Sequence, residues 1–400
     1  MKIKAIILAM TLALAAAVGG CAQSNVSKNT SEASSEASVQ ASPDEAEQAT
    51  TEVNLPTDEF EPEEVKTQFE NYTVCNGFVR PIGYRNNYRV VTLNGRAYIA
   101  DNGGVRTVAQ DGAETLITKT NATSIATDGK TILFATTVRN STSTEDRNCE
   151  IHSINVDGSD EKSLVKCEGG AIPIMIYENK LYYEDNDYPR QQGLYVKELD
   201  GGEAKAVADG CIDSLCFGTK LVYIRFKTHF STYGKLATYD YTTGEETIIS
   251  EEPLERAFDA QDGKVYVCSS SSGNDTHNSI YCYDPSSGDF RVIPNSKDVF
   301  VIFDAVADGK IYGRNEMGLC TFPCEGGEIE PGGDYYNCIK TDNCLMAQDN
   351  NLWYVMRNGS FEKTDVASAP SINVLAYYGK LMFILEDDYE TVTVRMMDLY

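Results

Sequence analysis

Few residues in this sequence combine the right type and spacing for catalysis. The 400-residue chain holds three histidines, His152, His229 and His277. A nucleophilic triad needs an imidazole oriented by a carboxylate and set beside a serine or cysteine. Each of the three falls in a strand-like or polar stretch with no recognisable nucleophile nearby. Gly-x-Ser-x-Gly, His-Glu-x-x-His and glycine-rich phosphate loops do not occur. Carboxylates cluster in "DGSDE" from Asp157 and "EDNDY" from Glu184. Neither cluster has the ligand series and terminal Glu of a calcium loop, so turn chemistry accounts for the first and solvation for the second. Two carboxylates drawn from distant segments could still serve as acid and base on a glycoside.

Of twelve cysteines, eleven remain when Cys21 is set aside. Cys149 and Cys167 lie nine residues to either side of Gly158, and Cys268 and Cys282 seven to either side of Asp275. Each pair is expected to face across one antiparallel hairpin, as a candidate disulfide. Cys320 and Cys324 share one strand and stand ~13 Å apart by strand rise, too far for a bond. The others read as buried thiols that pack like small apolar groups. Cys211 with Cys216 and Cys338 with Cys344 lack the spacing of structural zinc sites, so no metal and no cofactor is expected.

The elements that must position any site come from a repeat. "LNGRAYIA" at Leu93 is echoed by "TDGKTILFA" at Thr127, "YENKLYYE" at Tyr177, "FGTKLVYI" at Phe217, "QDGKVYVC" at Gln261, "ADGKIYGR" at Ala307, "QDNNLWYVM" at Gln348 and "YYGKLMFIL" at Tyr377. Gly, Asn and Asp supply tight hairpin turns, and the β-branched and aromatic residues that follow read as strands. A weaker second motif, as in "YDYTTGEETII" and "YDPSSGDFRVI", adds a further strand pair in most units. Four-stranded units repeating every ~40 residues predict an all-β fold, a β-propeller of four-stranded antiparallel blades. Eight blades are counted, with seven as the alternative because the seventh unit is short of room for its strands. The pattern resembles the low-density-lipoprotein-receptor-like and TolB-like propellers of exported bacterial lipoproteins over roughly Tyr72 to Tyr400. The last unit, "TVTVRMMDLY", stops at a third strand, so an N-terminal strand within Asn71–Val79 is expected to close the ring as its fourth.

In such a meander the connections between second and third strands all leave the same face. They are short in units one, six, seven and eight and long and polar in units two to five, as in "TTVRNSTSTEDRNCE", "YEDNDYPRQQG", "IRFKTHFSTYGK" and "CSSSSGNDTHNSI". Loops on a rigid scaffold are where binding residues concentrate. The candidate ligand-binding residues are Arg139, Arg147, Asp185, Asp187, Tyr188, Arg190, Phe226, His229, Phe230, Tyr233 and His277. The alternative reading of these loops is tolerated insertion. The tyrosines that recur within strands, Tyr98, Tyr182, Tyr266 and Tyr312, are expected to pack between blades.

The ends and the charge set the surroundings. "MKIK" followed by "AIILAMTLALAAAV" reads as an export signal over residues 1–20, too short to span a bilayer comfortably. Val18-Gly19-Gly20-Cys21 resembles a bacterial lipobox, which implies a Cys21 that carries acyl chains and anchors the chain to membrane lipid. From residue 21 to 66 the chain is Ser-, Ala- and Glu-rich, with eleven acids and no Lys or Arg between Asn29 and Glu64. Such a segment cannot bury a core and extends as a tether, leaving residues 67–400 for the propeller. The net charge of −26 excludes nucleic acid as a natural partner. These features predict an extracytoplasmic lipoprotein, held at the cell membrane, whose propeller binds a peptide, protein or glycan. The alternatives are a polysaccharide hydrolase or lyase working on the long-loop face and a structural partner in an envelope complex.

Overall fold

The computed structural model describes residues 72–81, 88–109, 111–139, 147–167, 170–187, 191–226, 233–269, 278–341, 344–350, 352–367, 372–377, 381–387 and 392–398. The export signal, Cys21 and the tether lie outside them. All of the described residues belong to one compact unit.

The chain opens with a hairpin, β1 (Tyr72–Cys75) and β2 (Phe78–Pro81). Eight antiparallel meanders follow. The first is β3 (Val90–Leu93), β4 (Arg96–Asp101), β5 (Gly104–Ala109) and β6 (Glu114–Thr118). The second is β7 (Ser124–Thr127), β8 (Thr131–Arg139), β9 (Arg147–Asn155) and β10 (Lys162–Cys167), and the third β11 (Gly170–Tyr177), β12 (Lys180–Asp187), β13 (Gln191–Glu198) and β14 (Lys205–Asp209). The fourth is β15 (Cys211–Phe217), β16 (Lys220–Phe226), β17 (Tyr233–Asp240) and β18 (Glu245–Ile248). The fifth, β19 (Leu254–Gln261), β20 (Lys264–Ser269), β21 (Ile280–Asp284) and β22 (Asp289–Val292), joins the fourth through β17 and β19. The sixth is β23 (Ile302–Ala307), β24 (Lys310–Asn315), β25 (Gly318–Pro323) and β26 (Glu330–Gly333). The seventh is β27 (Asn337–Lys340), β28 (Leu345–Gln348), β29 (Leu352–Arg357) and β30 (Ser360–Ala367). The eighth has three described strands, β31 (Ile372–Tyr377), β32 (Leu381–Asp387) and β33 (Val392–Asp398).

Each meander is of the kind that builds a propeller blade, and each repeat falls within one of them. First strands lie side by side, β3 against β7, β7 against β11, β19 against β23 and β23 against β27. Apolar residues of neighbouring sheets close over one another between them. Tyr98 packs with Ile125 and Phe134, Tyr182 with Tyr223 and Ala237, Tyr266 with Phe303 and Phe322, and Tyr312 with Leu345 and Trp353. The recurring tyrosines are therefore core, as expected, and all four are buried.

The repeated motif is a turn. Asn94–Gly95, Glu178–Asn179, Asp262–Gly263 and Asp308–Gly309 each have positive φ at both central positions, the geometry that matches the right-handed twist of two-residue hairpins. The second motif is built differently. Asp240 Oδ1 accepts hydrogen bonds from the amides of Thr242 and Thr243 and from the Thr242 hydroxyl. Asp284 does the same with Ser286 and Ser287. The Ser286 hydroxyl and then the two amides hold the Asp284 carboxyl down at about 2. Asp157 accepts likewise from Ser159, so turn chemistry explains "DGSDE".

Two expectations are corrected. The segment Asn71–Val79 does not supply a fourth strand to the eighth sheet. Asn76 and Gly77, at φ 47° and 83°, break it into a hairpin of their own, with Cys75 opposite Phe78. That hairpin lies inside the first strands: β2 pairs with β7 at Val79 and Thr127, adjoins β3 and β11, and β1 lies against β15. Tyr72 and Val79 join the core of the first two sheets, while Cys75 and Phe78 join that of the second to fourth. The seventh sheet also finds room for four strands. It starts one strand early, at Asn337–Lys340, so that "QDNNLWYVM" joins its second and third strands, where the same motif elsewhere joins the first and second.

Candidate functional site

The long connections begin from paired strand ends. Arg139 faces Arg147 at the end of β8 and β9, and Asp187 faces Gln191 at the end of β12 and β13. Much of what reads as loop in these two units is therefore strand. The connection in the third sheet shrinks to 188–190, so a long loop there is a second misreading of strand as loop. Tyr188, Arg190, His229, Phe230 and His277 lie outside the described residues. Asp185 is half-buried near the end of β12. Phe226 is a core residue and not a rim residue, 4% exposed and packed with Leu236 and Leu254. Tyr233, across the same connection, is 43% exposed.

Phe226 and Tyr233 border a cleft of about 610 Å³ on the long-loop side of the fourth sheet. Its origin lies in how β17 changes partners. From Ala237 to Asp240 it pairs with β18. The amides of Ile249 and Ser250 then both donate to the Leu236 carbonyl, at 2.8 and 3.3 Å, and the chain turns away. Tyr233 and Gly234 are taken up instead by Glu255 and Leu254 of β19. The cleft is the gap between the two partners, walled by Ile248 and Pro253 on one side and by Asp209 and the ends of β16 and β17 on the other. Gly234 is required there, because a Cβ would come within 2.4 Å of the Arg225 carbonyl oxygen.

Charges in the cleft are mostly matched. Arg225 pairs with Glu246, which also accepts from the Tyr223 hydroxyl, and Lys235 pairs with Glu251. Glu255 differs. It stands directly opposite Tyr233 in the ladder, half-buried, and burial alone pushes its carboxyl pKa up. Its charge in turn helps raise the Cys268 thiol. Together these groups offer an exposed phenol ring, an aliphatic wall and an excess of carboxylates, a surface suited to a ligand with a basic group beside an apolar one. Because the carboxyl is raised above its usual 4.5, ionised Glu255 costs stability at neutral pH, and the cost vanishes below 4.5, where the group is protonated folded and unfolded alike. Glu255→Gln is therefore expected to be more stable than the parent at pH 7 and equal to it at pH 4, as read by urea midpoints.

Sequence reasoning missed a second group of residues, at the inner hairpin. Arg80, 1% exposed, makes a 3.0 Å ion pair with Glu184, 0% exposed, and its Nη2 also donates to the carbonyl and hydroxyl of Ser214. Glu184 further accepts from the amides of Asp213 and Ser214 at 2.8 and 2.9 Å and from the Ser214 hydroxyl at 2.6 Å. Solvation is thus not what places Glu184 in its acidic run. On the other side, Lys340 is ion-paired to Asp259 at 2.8 Å and donates to the carbonyls of Ala260 and Val306, while Asp259 accepts from the Val306 amide. These carboxylates are neutralised and fully coordinated, which suits fastening and not acid–base chemistry. The available signal was a cation inside an apolar strand, "FVRP" and "NCIK".

His152 stacks on Phe134 at 5.2 Å and lies 3.5 Å from Glu150 and 3.4 Å from Glu161, far along β9 from the loop end. Among the described residues no group of three or more His, Cys, Asp or Glu could hold a metal ion. Cys149 and Cys167 do oppose one another in register, both as free thiols, with burial pushing Cys149 up to about 12. Cys268 and Cys282 do not. Cys268 faces Ile280 and Cys282 faces Tyr266, a two-residue offset that a disulfide does not span.

No family model matches the chain, and no curated protein matches it in sequence. Among solved structures, it is similar to the β-propeller domain of the trilobed protease from Pyrococcus furiosus, at 14% identity and a TM-score of 0.42, over 68% of this chain and 93% of that one. It is similar to apo AztD from Citrobacter koseri at 16% identity and 0.42, over 74% and 93%. TolB from Acinetobacter baumannii follows at 11% and 0.33, over 77% of each.

Proposed function

We propose that this is an extracytoplasmic binding lipoprotein, acylated at Cys21, whose acidic tether carries an eight-bladed propeller closed into a ring. The propeller presents the cleft beside the fourth sheet to a peptide or protein with a basic residue next to an apolar one. The observation that carries this reading is the exposed Tyr233, which lines the cleft together with Ile248 and Pro253 and pairs in the ladder with the half-buried Glu255. The net charge of −26 adds a long-range attraction for basic ligands. The ion-paired state of Glu184 and Asp259 favours this reading over a glycoside-cleaving one.

The test is an array of basic–apolar peptides and of glycans probed with the full chain, followed by titration of the best hit against the parent and Tyr233→Ala. Loss of the exposed ring is expected to weaken binding by about tenfold or more, with the thermal midpoint unchanged. Equal affinity in the variant would place the ligand elsewhere. Mass spectrometry of the N-terminal peptide reports the acyl chains on Cys21 directly.

A further inference from the structure

We infer that Cys75 and Cys216 form a disulfide that fastens the inner hairpin to the fourth sheet. The geometry starts from Thr73, whose hydroxyl oxygen accepts from the Cys216 amide at 2.6 Å and donates to the Cys216 carbonyl at 3.4 Å. Side chains two apart on a strand project to the same side, so Cys75 faces β15 where Thr73 does. Both cysteines are buried, at 0% and 9% exposure, in one core cluster. Both lie close enough to the Tyr241 hydroxyl and to the Arg80 guanidinium to interact electrostatically with them. The neighbouring Cys75, and then burial, hold the Cys216 thiol well above its ordinary value.

The chemistry is thiol–disulfide exchange. One thiolate attacks a sulfur of a disulfide oxidant, the second displaces the mixed disulfide, and the two protons and two electrons leave with the oxidant as a pair of thiols. An oxidising compartment supplies that oxidant, so the bond's presence in cells rests on the extracytoplasmic reading above. Once the hairpin is seated both sulfurs are buried and out of an oxidant's reach. The bond therefore forms while β1 is still docking, and folded, reduced protein resists oxidation. It is more consequential than a bond between Cys149 and Cys167 would be. Cys149 and Cys167 close one hairpin, whereas Cys75 and Cys216 close a loop spanning three sheets and remove far more freedom from the unfolded chain.

The full chain is denatured, reduced and refolded with mixed oxidised and reduced glutathione, then alkylated in denaturant and mapped by mass spectrometry. The expected result is a Cys75–Cys216 linked peptide and a thermal midpoint roughly 5–10 °C above that of the same chain refolded with reductant. Cys75→Ser and Cys216→Ser should each lose that shift, and Cys149→Ser should keep it. Alkylation of both cysteines, or equal midpoints in the two preparations, overturns the inference. The same map on protein isolated from cells separates the two claims. A bond made in the refolding buffer but missing in cells would leave the geometry standing and overturn the location.

Discussion

Glu184→Ala is expected to lower the unfolding midpoint by roughly 5 °C, equivalent to about 3–5 kcal/mol. The substitution leaves the Arg80 guanidinium buried at 1% exposure with its ion-pair partner gone. It also strips the amides of Asp213 and Ser214 and the Ser214 hydroxyl of their acceptor. An uncompensated buried charge costs far more than the intact pair contributes, so the double variant Arg80→Met/Glu184→Leu should recover part of the loss. Calorimetry on the parent, both single variants and the double gives the coupling. A single-variant loss below about 1 kcal/mol would mean that water reaches the site and that the hairpin is not seated as described.

Lys340→Met should cost a comparable amount, about 3 kcal/mol. Lys340 lies on the first strand of the seventh sheet and reaches Asp259 and Ala260 of the fifth and Val306 of the sixth. Its removal leaves Asp259 still held by the Ala260 and Val306 amides but with no cation. Asp259→Asn is expected to be milder, since an amide oxygen can keep accepting the Val306 bond. Urea denaturation discriminates the two. If Lys340→Met and an exposed substitution such as Lys297→Met shift the midpoint equally, the three-sheet bridge contributes nothing.

The strands and turns were readable because each turn is local. Asn94–Gly95, Asp262–Gly263 and Asp308–Gly309 announce their hairpins in two letters, and the tyrosines after them announce what the strands bury. The same local rule, applied consistently, would have read Asn76–Gly77 as a hairpin too. What stayed hidden depends on pairs far apart in sequence. Nothing next to Glu184 names Arg80, and an acid in "EDNDY" looks solvated until the inner hairpin covers it. Register hides in the same way. Counting outward from a presumed turn centre succeeds for Cys149 and Cys167, but fails by two residues for Cys268 and Cys282. The cleft was half legible, since Tyr233 was singled out for its loop, while Glu255 and the change of partner along β17 are set by a neighbouring sheet.

The position of the inner hairpin has a consequence for the order of assembly. Residues 72–81 are made before every sheet they pack against, and the groups that receive Thr73 and Arg80 follow only at Ser214 and Cys216. Native contacts so distant along the chain form slowly. Tyr72 and Val79 find their core partners once the first two sheets are made, but Thr73, Cys75 and Arg80 must wait longer, so the full seating of the hairpin is a late step of folding.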